Sequence, residues 1–123
     1  MLFRSSWDVV VPVPASRANF RRRLFHPCVE IAQRIVLRGH APRVLNALRH
    51  SKHRAPQASL SHDERLRGIR RMFEARNESL LQGRRILLVE DVITTGATTA
   101  AAVLALRRAG AASVDIEIGR AHV

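Results

Sequence analysis

The sequence predicts a single α/β domain, residues 1–123, built around a parallel sheet. Its length suits one domain with one hydrophobic core. Residues 7–14 and 85–91 are short apolar runs of the kind that form buried strands, whereas residues 28–38 and 97–109 place apolar side chains at helical spacing. Strands that alternate with helices are typical of parallel sheets, because each crossover needs a connecting helix.

The first half of the chain contains a strand, a helix and a weaker strand. Residues 7–14 are rich in valine and close with prolines, which favours a buried strand entering a turn. The helix over residues 28–38 has Pro27 as a start signal and Gly39 as a stop signal. We expect a second, weaker strand over residues 44–48.

The second half begins with a long polar connection. Residues 50–71 are too long for a simple turn, so we expect a flexible functional loop, with some helix near residues 61–71. The apolar run at residues 85–91 predicts a buried strand, and residues 97–109 predict a helix that glycine ends. Residues 114–118 alternate in polarity and predict a closing edge strand.

Composition excludes several classes of protein. The one cysteine, Cys28, excludes a disulfide framework within the chain and a cysteine-rich zinc module, and its place on a helical apolar stripe predicts a small core residue. The longest uncharged run, residues 92–106, is too short and too polar for a transmembrane helix. The start of the chain has no apolar stretch of signal-peptide length. We therefore expect a cytoplasmic protein with no membrane insertion.

The charge is strongly positive and unevenly distributed. The formal net charge is +11, and the 15 basic and 4 acidic residues between Arg17 and Arg76 account for all of it. Nearly all of the basic residues are arginines, whose planar guanidinium suits phosphate oxygens. Such a block favours an anionic partner, phosphates or a nucleic-acid backbone. A general preference for arginine over lysine across the genome explains the ratio equally well, but explains the segregation less well.

The chemistry is concentrated in residues 86–98, which read ILLVEDVITTGAT. A buried strand ends in Glu90 and Asp91, and a threonine-glycine turn then opens a helix. The first N–H groups of a helix and its dipole bind anions, and Gly96 lets a phosphate approach the backbone closely. Carboxylates beside a phosphate site suit a ligand that carries hydroxyls or a metal, such as a ribose 5-phosphate. The threonines and glycine alone are equally consistent with an ordinary capped helix.

This unit resembles the phosphoribosyl-diphosphate (PRPP) motif of type I phosphoribosyltransferases, and more narrowly that of the ComF branch, which is related to competence proteins. Further similarity to that branch lies in the VPVP run at residues 11–14, in residues 56–65 and in the IGRA run at residues 118–121. The resemblance extends over nearly the whole chain, from residue 9 to residue 121. It implies a phosphoribosyltransferase-type, Rossmann-like core.

The resemblance also implies a reaction and its residues. PRPP would bind with Mg²⁺ and give up its phosphoribosyl group at the anomeric carbon, with pyrophosphate leaving. Mg²⁺ would be held mainly by PRPP itself, with Glu90 and Asp91 as candidate contacts that also bind the ribose hydroxyls as the catalytic pair. The 5-phosphate would be bound by Thr94, Thr95, Gly96, Ala97 and Thr98, and the pyrophosphate would face the loop at Ala15, Ser16 and Arg17. A homodimer and a partner in the competence machinery are also candidates.

The sequence departs from the family at several points. The usual Gly-Phe-Asn-Gln reads Leu24-Phe25-His26-Pro27 here, and Gly68 stands where asparagine is common. Purine-salvage relatives carry an aspartate at the position of Thr94, so their substrate class is disfavoured. Family members usually begin with a zinc ribbon and a further strand and helix, so we expect a core truncated at its N-terminus.

The sequence leaves alternatives open. A non-catalytic module of the same fold would bind nucleic acid through the basic region between Arg17 and Arg76 and take part in DNA uptake. A partial gene product that folds poorly is a third hypothesis. Residues 50–54 are either a lid over the site or a solvated loop. The acceptor of the phosphoribosyl group is open among ammonia, an amide donor, a base and a protein.

Overall fold

The described residues of the computed structural model, 6–14, 27–51, 68, 71–91 and 96–119, form five strands and three helices. In chain order they are β1 (Val9–Pro12), α1 (Pro27–Leu37), β2 (Leu48–His50), β3 (Phe73–Ala75), α2 (Glu78–Leu81), β4 (Arg85–Glu90), α3 (Ala97–Arg108) and β5 (Ser113–Ile118). The strands and helices predicted around β1, α1, β4, α3 and β5 are confirmed to within a few residues at their ends.

The main sheet is parallel and has the order β1–β4–β5. Val9 lies beside Ile86, and Ile86 lies beside Val114, so β4 is the central strand. On the outer side of β1, Val44 forms an isolated parallel bridge with Val10. Because these strands all run the same way, their carboxyl ends meet at one edge of the sheet.

Helices cover the two faces of this sheet. Val10, Leu87 and Val89 point to the face that α1 covers through Cys28 and Ala32. The opposite face packs against α3 and the β2–β3 hairpin, with the following buried residues at its centre: Val9, Val11, Leu48, Phe73, Ile86, Leu88, Ala102 and Leu106. Both faces of the central strand are therefore buried, as in other parallel α/β sheets. Cys28 is a core residue, as predicted.

The strand predicted over residues 44–48 is wrong in its bounds and its pairing. Only Val44 bridges to the parallel sheet, and the strand itself, Leu48–His50, pairs antiparallel with Phe73–Ala75 in a separate two-stranded sheet. The backbone carbonyl of Met72 accepts a hydrogen bond from Ser51, which extends this hairpin. A hairpin closed across more than twenty residues leaves no local turn signal in the sequence.

The long connection predicted over residues 50–71 lies mostly outside the described residues. His50 belongs to β2, and Gly68 is helical. The edge position of β5 is confirmed, but the alternation of its polarity does not produce one buried face. Ile116 and Ile118 remain 44% and 38% exposed. None of the described helices has the length and apolar character needed to cross a membrane.

Candidate functional site

Three chain segments meet at the carboxyl edge of the sheet. The backbone N–H of Val13, just after β1, donates to the carbonyl of Val89 at 2.9 Å, and the N–H of Gly119, just after β5, donates to the carbonyl of Glu90 at 2.8 Å. The end of β4 is therefore flanked on both sides. Ligands of open α/β sheets bind at this edge.

Gly96 sets the start of α3 at this edge. Its φ of +80° is in the left-handed region, which glycine adopts without strain, and it is the residue that precedes the first turn of the helix. A Cβ at this position would meet nothing within 4 Å. The first turn carries no acidic side chain. An anion can therefore approach the helix start closely, where the dipole is favourable to it.

Glu90 is a buried carboxylate at the end of the central strand. Its side chain is 9% exposed. Burial raises the pKa of Glu90, and the negative charge of Asp91 raises it further, while the N–H of Asp91 and the Thr99 hydroxyl act in the opposite direction. Oε1 accepts a hydrogen bond from the Asp91 N–H at 3.2 Å. Oε2 is buried and has no hydrogen-bond partner of ordinary geometry.

Asp91 follows Glu90 on the edge of the sheet and is half-buried. The two carboxylates are thus close in sequence but differ in environment. The charged form of Glu90 is costly, because it sits against the apolar face that α3 covers. A ligand that donates to Oε2 would lower that cost. This pairing is what a site for a hydroxyl-bearing ligand requires.

Thr99 belongs to this site although the motif did not point to it. It is buried in α3 beside Glu90. The helical stripe that faces the sheet continues through Ala102 and Leu106, three and seven residues later, so its period could have placed Thr99 there. By contrast, Thr98 is exposed in the same turn.

The structure brings together part of the predicted site. Glu90 and Asp91 lie at the end of β4, and Gly96, Ala97 and Thr98 lie at the start of α3. The remaining predicted residues fall outside the described residues: Ala15, Ser16, Arg17, Thr94 and Thr95.

Two aromatic rings near the basic region have a structural role. Phe73, considered in the sequence as a base-stacking candidate, is buried in the core, and its ring centroid lies 5.1 Å from that of His50. Phe73 is therefore not available to stack on a base. Of the lid proposed for residues 50–54, the described residues contain only His50 and Ser51, of which His50 lies in β2.

Gly119 closes the edge on the α1 side. A Cβ at this position would overlap Cδ1 of Ile31 and would lie 3.7 Å from the carbonyl oxygen of Glu90. Glycine therefore lets α1 pack directly against the end of β4. The resemblance noted at residues 118–121 thus includes a residue that the packing requires.

This arrangement of parallel sheet, terminal carboxylates and glycine-opened helix agrees with the comparison to known families. Residues 27–121 match the phosphoribosyl transferase domain family. The chain belongs to that family. The match includes Glu90, Asp91, Gly96, Ala97 and Thr98, and so includes the described part of the candidate site.

Curated relatives support the narrower ComF resemblance. The DNA utilization protein YhgH of Escherichia coli strain K12 is 33% identical over 109 residues, which are 89% of this chain and 47% of that protein. Competence protein F of Haemophilus influenzae is 27% identical over 110 residues, which are 89% of this chain and 48% of that protein. The chain spans about half the length of these relatives.

Solved structures support the fold. Glutamine PRPP amidotransferase from B. subtilis, complexed with ADP and GMP, superposes with a TM-score of 0.64 at 24% identity, over 92% of this chain and 22% of that one. The allosteric regulatory enzyme of purine biosynthesis superposes with a TM-score of 0.62, also at 24% identity and with the same coverage of both chains. The predicted parallel-sheet phosphoribosyltransferase core is therefore confirmed.

Proposed function

We propose that this chain binds PRPP at the carboxyl edge of its sheet and transfers, or descends from a domain that transferred, the phosphoribosyl group. The observation that supports this most directly is the pairing of a buried, incompletely hydrogen-bonded Glu90 with the open helix start at Gly96. One suits a hydroxyl donor and the other suits a phosphate. A ribose 5-phosphate carries both groups.

The 5-phosphate is assigned to the turn that opens α3. Backbone N–H groups at a helix start donate to phosphate oxygens, and the absence of a Cβ at Gly96 leaves room for them. Thr94, Thr95 and Thr98 are proposed as hydroxyl donors to the same phosphate. Ala15, Ser16 and Arg17 are proposed to face the pyrophosphate, since the chain enters that segment from the end of β1.

Glu90 and Asp91 are assigned to the ribose hydroxyls. Two adjacent carboxylates are also an oxygen donor set that fits Mg²⁺, which proteins hold through one or two carboxylates together with substrate phosphates. Within the described residues, no cluster of three or more metal-ligating side chains is present, which agrees with a metal shared with the substrate. When bound, Mg²⁺ would neutralise negative charge on the leaving pyrophosphate.

The residues of the chain would act mainly through electrostatics. As the bond from the anomeric carbon to pyrophosphate breaks, positive charge develops on the ribose and negative charge on the leaving group. Carboxylates fixed beside the ribose favour the first, and backbone N–H groups and arginines favour the second. The fixed position of β4 between β1 and β5 means that these groups need no reorganisation during the step.

The test is calorimetric titration of the chain with PRPP, with and without Mg²⁺. We expect Mg²⁺-dependent binding that Asp91→Asn abolishes. Asp115→Asn is the matched control, because Asp115 lies on β5, away from the site, where it accepts a hydrogen bond from the Trp7 indole. Affinity that is unchanged in Asp91→Asn, or that falls equally in both variants, contradicts the assignment.

A second candidate function is nucleic-acid binding without catalysis. The segregated positive charge between Arg17 and Arg76 favours it, as do the printed names of the DNA utilization and competence relatives. Exposed arginines of that region include Arg34, Arg38 and Arg43. This candidate predicts binding of single-stranded DNA whose logarithmic affinity falls by about 0.7 per phosphate contacted for each log unit of salt. Absence of binding at low salt, or binding insensitive to salt, excludes it.

A further inference from the structure

An open groove runs between α1 and the edge strand β5, on the face of the sheet opposite α3. Its volume is about 410 Å³. The residues that line it are Trp7, Ile31, Arg34, Ile35, Arg38, His40, Leu87, Glu117 and Gly119. The predicted PRPP residues described above are not among them.

The α1 wall of the groove is half apolar and half cationic. Ile31 and Ile35 lie one turn apart, and Arg34 and Arg38 occupy the positions three and seven residues after Ile31, so all four share one side of the helix. Both isoleucines are half-buried and both arginines are exposed. This wall offers apolar surface with a cationic rim.

The opposite wall is anionic. Asp115 and Glu117 are exposed on β5 and lie in register with Leu87 and Val89, which point to the α1 side of the sheet. The Trp7 indole N–H donates to Oδ2 of Asp115 at 2.9 Å, which ties the tryptophan to this wall. The groove therefore has an apolar centre between one cationic rim and one anionic rim.

Coverage of the sheet differs between its two faces. On one face, α3 packs against β5. On the other face, α1 packs against β1 and β4, and the groove begins beyond them. Parallel sheets bury both faces under helices. The element that fits above β5 on this side is therefore a further helix lying beside α1.

We propose that this groove is the docking site for an amphipathic helix supplied from outside these 123 residues. Its apolar stripe would cover Trp7, Ile31 and Ile35. Its flank beside Arg34 and Arg38 would be acidic, and its flank beside β5 would be basic.

Chain length and shape favour this occupant over two others. The chain segments that adjoin the groove at its ends, residues 1–5 and 120–123, are each too short for two helical turns. A second copy would bring an identical concave groove, and two concave surfaces leave each other unfilled. The opposite charges of the two rims match a helix with two differently charged flanks.

Trp7 is the sole tryptophan of the chain, so its fluorescence reports on the groove directly. The probe is a synthetic 16-residue helical peptide without tryptophan, with a leucine stripe, one glutamate flank and one lysine flank. A second peptide carries lysine on both flanks. We expect the first peptide to shift the Trp7 emission saturably and to bind about tenfold more tightly than the second.

Charge reversal of the cationic rim gives the decisive comparison. In Arg34→Glu/Arg38→Glu both rims are acidic, so the preference should invert in favour of the peptide with two lysine flanks. Arg71→Glu/Arg76→Glu makes the same change of net charge at exposed positions flanking β3, on the other face, and should leave the original preference intact.

Three results would overturn the proposal. They are equal affinity for the two peptides, no binding of either peptide by the folded chain, and a preference that does not change with the rim charges. Sedimentation of the chain alone tests the second copy as the occupant. A dimer that Arg34→Glu/Arg38→Glu dissociates would also overturn the proposal.

Discussion

Substituting Gly96 by alanine separates the cost of backbone strain from the loss of phosphate binding. Gly96 has φ +80°, and a Cβ there meets nothing within 4 Å. The strain of a left-handed alanine is roughly 1–2 kcal/mol. The reduced entropy of the unfolded chain offsets about 0.4–1 kcal/mol of this. The net loss of stability should therefore be about 1 kcal/mol, with no steric contribution.

Gly39 offers a matched control at the other end of the sheet. Its φ is +82°, and a Cβ there also meets nothing within 4 Å. Gly39→Ala should therefore lower stability by the same amount as Gly96→Ala. A loss of about 1 kcal/mol should lower the Tm by roughly 4 °C in a domain of this size, which differential scanning calorimetry resolves.

PRPP affinity should distinguish the two variants. The open space at Gly96 is where the 5-phosphate is proposed to approach the helix start, so a methyl group there displaces it. We expect Gly96→Ala to weaken PRPP binding by at least about tenfold, equivalent to roughly 1.4 kcal/mol, and Gly39→Ala to leave it unchanged. Equal PRPP affinities in the two variants, measured by calorimetric titration, would refute the role given to Gly96.

Three further predictions concern stability. Because burial raises the pKa of Glu90 above 4.5, its contribution to stability is present below pH 4.5 and is lost as pH rises through the folded-state pKa; Glu90→Gln should therefore be more stable than the natural chain at pH 7, with the difference vanishing below pH 4.5 in thermal melts. An unchanged difference across that range contradicts this. The hydrogen bond from Arg85 lowers the pKa of Asp8 below 3.8, so Asp8→Asn should reduce the Tm at neutral pH, and the deficit should shrink as pH falls below 3.8; a constant deficit would exclude the ion pair as its source. Leu106→Ala removes a fully buried side chain and should cost about 2–5 kcal/mol in urea denaturation, whereas Leu37→Ala, at a residue 85% exposed, should have little effect; similar losses in the two variants would contradict the core described above.

The local sequence predicted the central strand and the helix that follows it. The apolar run before Glu90 and the glycine at position 96 are strong signals, because a buried parallel strand and a helix start each demand particular residues over a few positions. The α1 helix was recognisable for the same reason, from Pro27 and from the spacing of its apolar residues.

The β2–β3 hairpin was not predictable in the same way. Each strand has three residues, and the apolar residues that it buries, Leu48 and Phe73, lie on the two sides of a long polar connection. Such strands form because the far face of the sheet needs a cover, which is a tertiary requirement. The α2 helix is also too short for periodicity to reveal, and it follows Asn77, whose φ of +56° is a further tertiary feature.

The candidate site shows the same division between local and tertiary information. The sequence identified Glu90 and Asp91 as a pair, but the difference between them arises from the packing of α3. Alternation along β4 places Ile86, Leu88 and Glu90 on one face, and α3 then brings Thr99 against the last of these. The sequence alone could not show that one carboxylate would be buried beside a threonine and the other half-exposed.

The burial of Glu90 is costly for the fold, and this cost bears on function. A glutamine or an apolar residue at this position would satisfy the packing of α3 without placing a charge in a desolvated position beside Asp91. No described contact of Glu90 compensates fully, since Oε2 has no hydrogen-bond partner. A ligand hydroxyl at the carboxyl edge of the sheet would supply the missing donor and favour the ionised form. The carboxylate therefore makes physical sense in a domain that spends part of its life with a sugar bound at this edge.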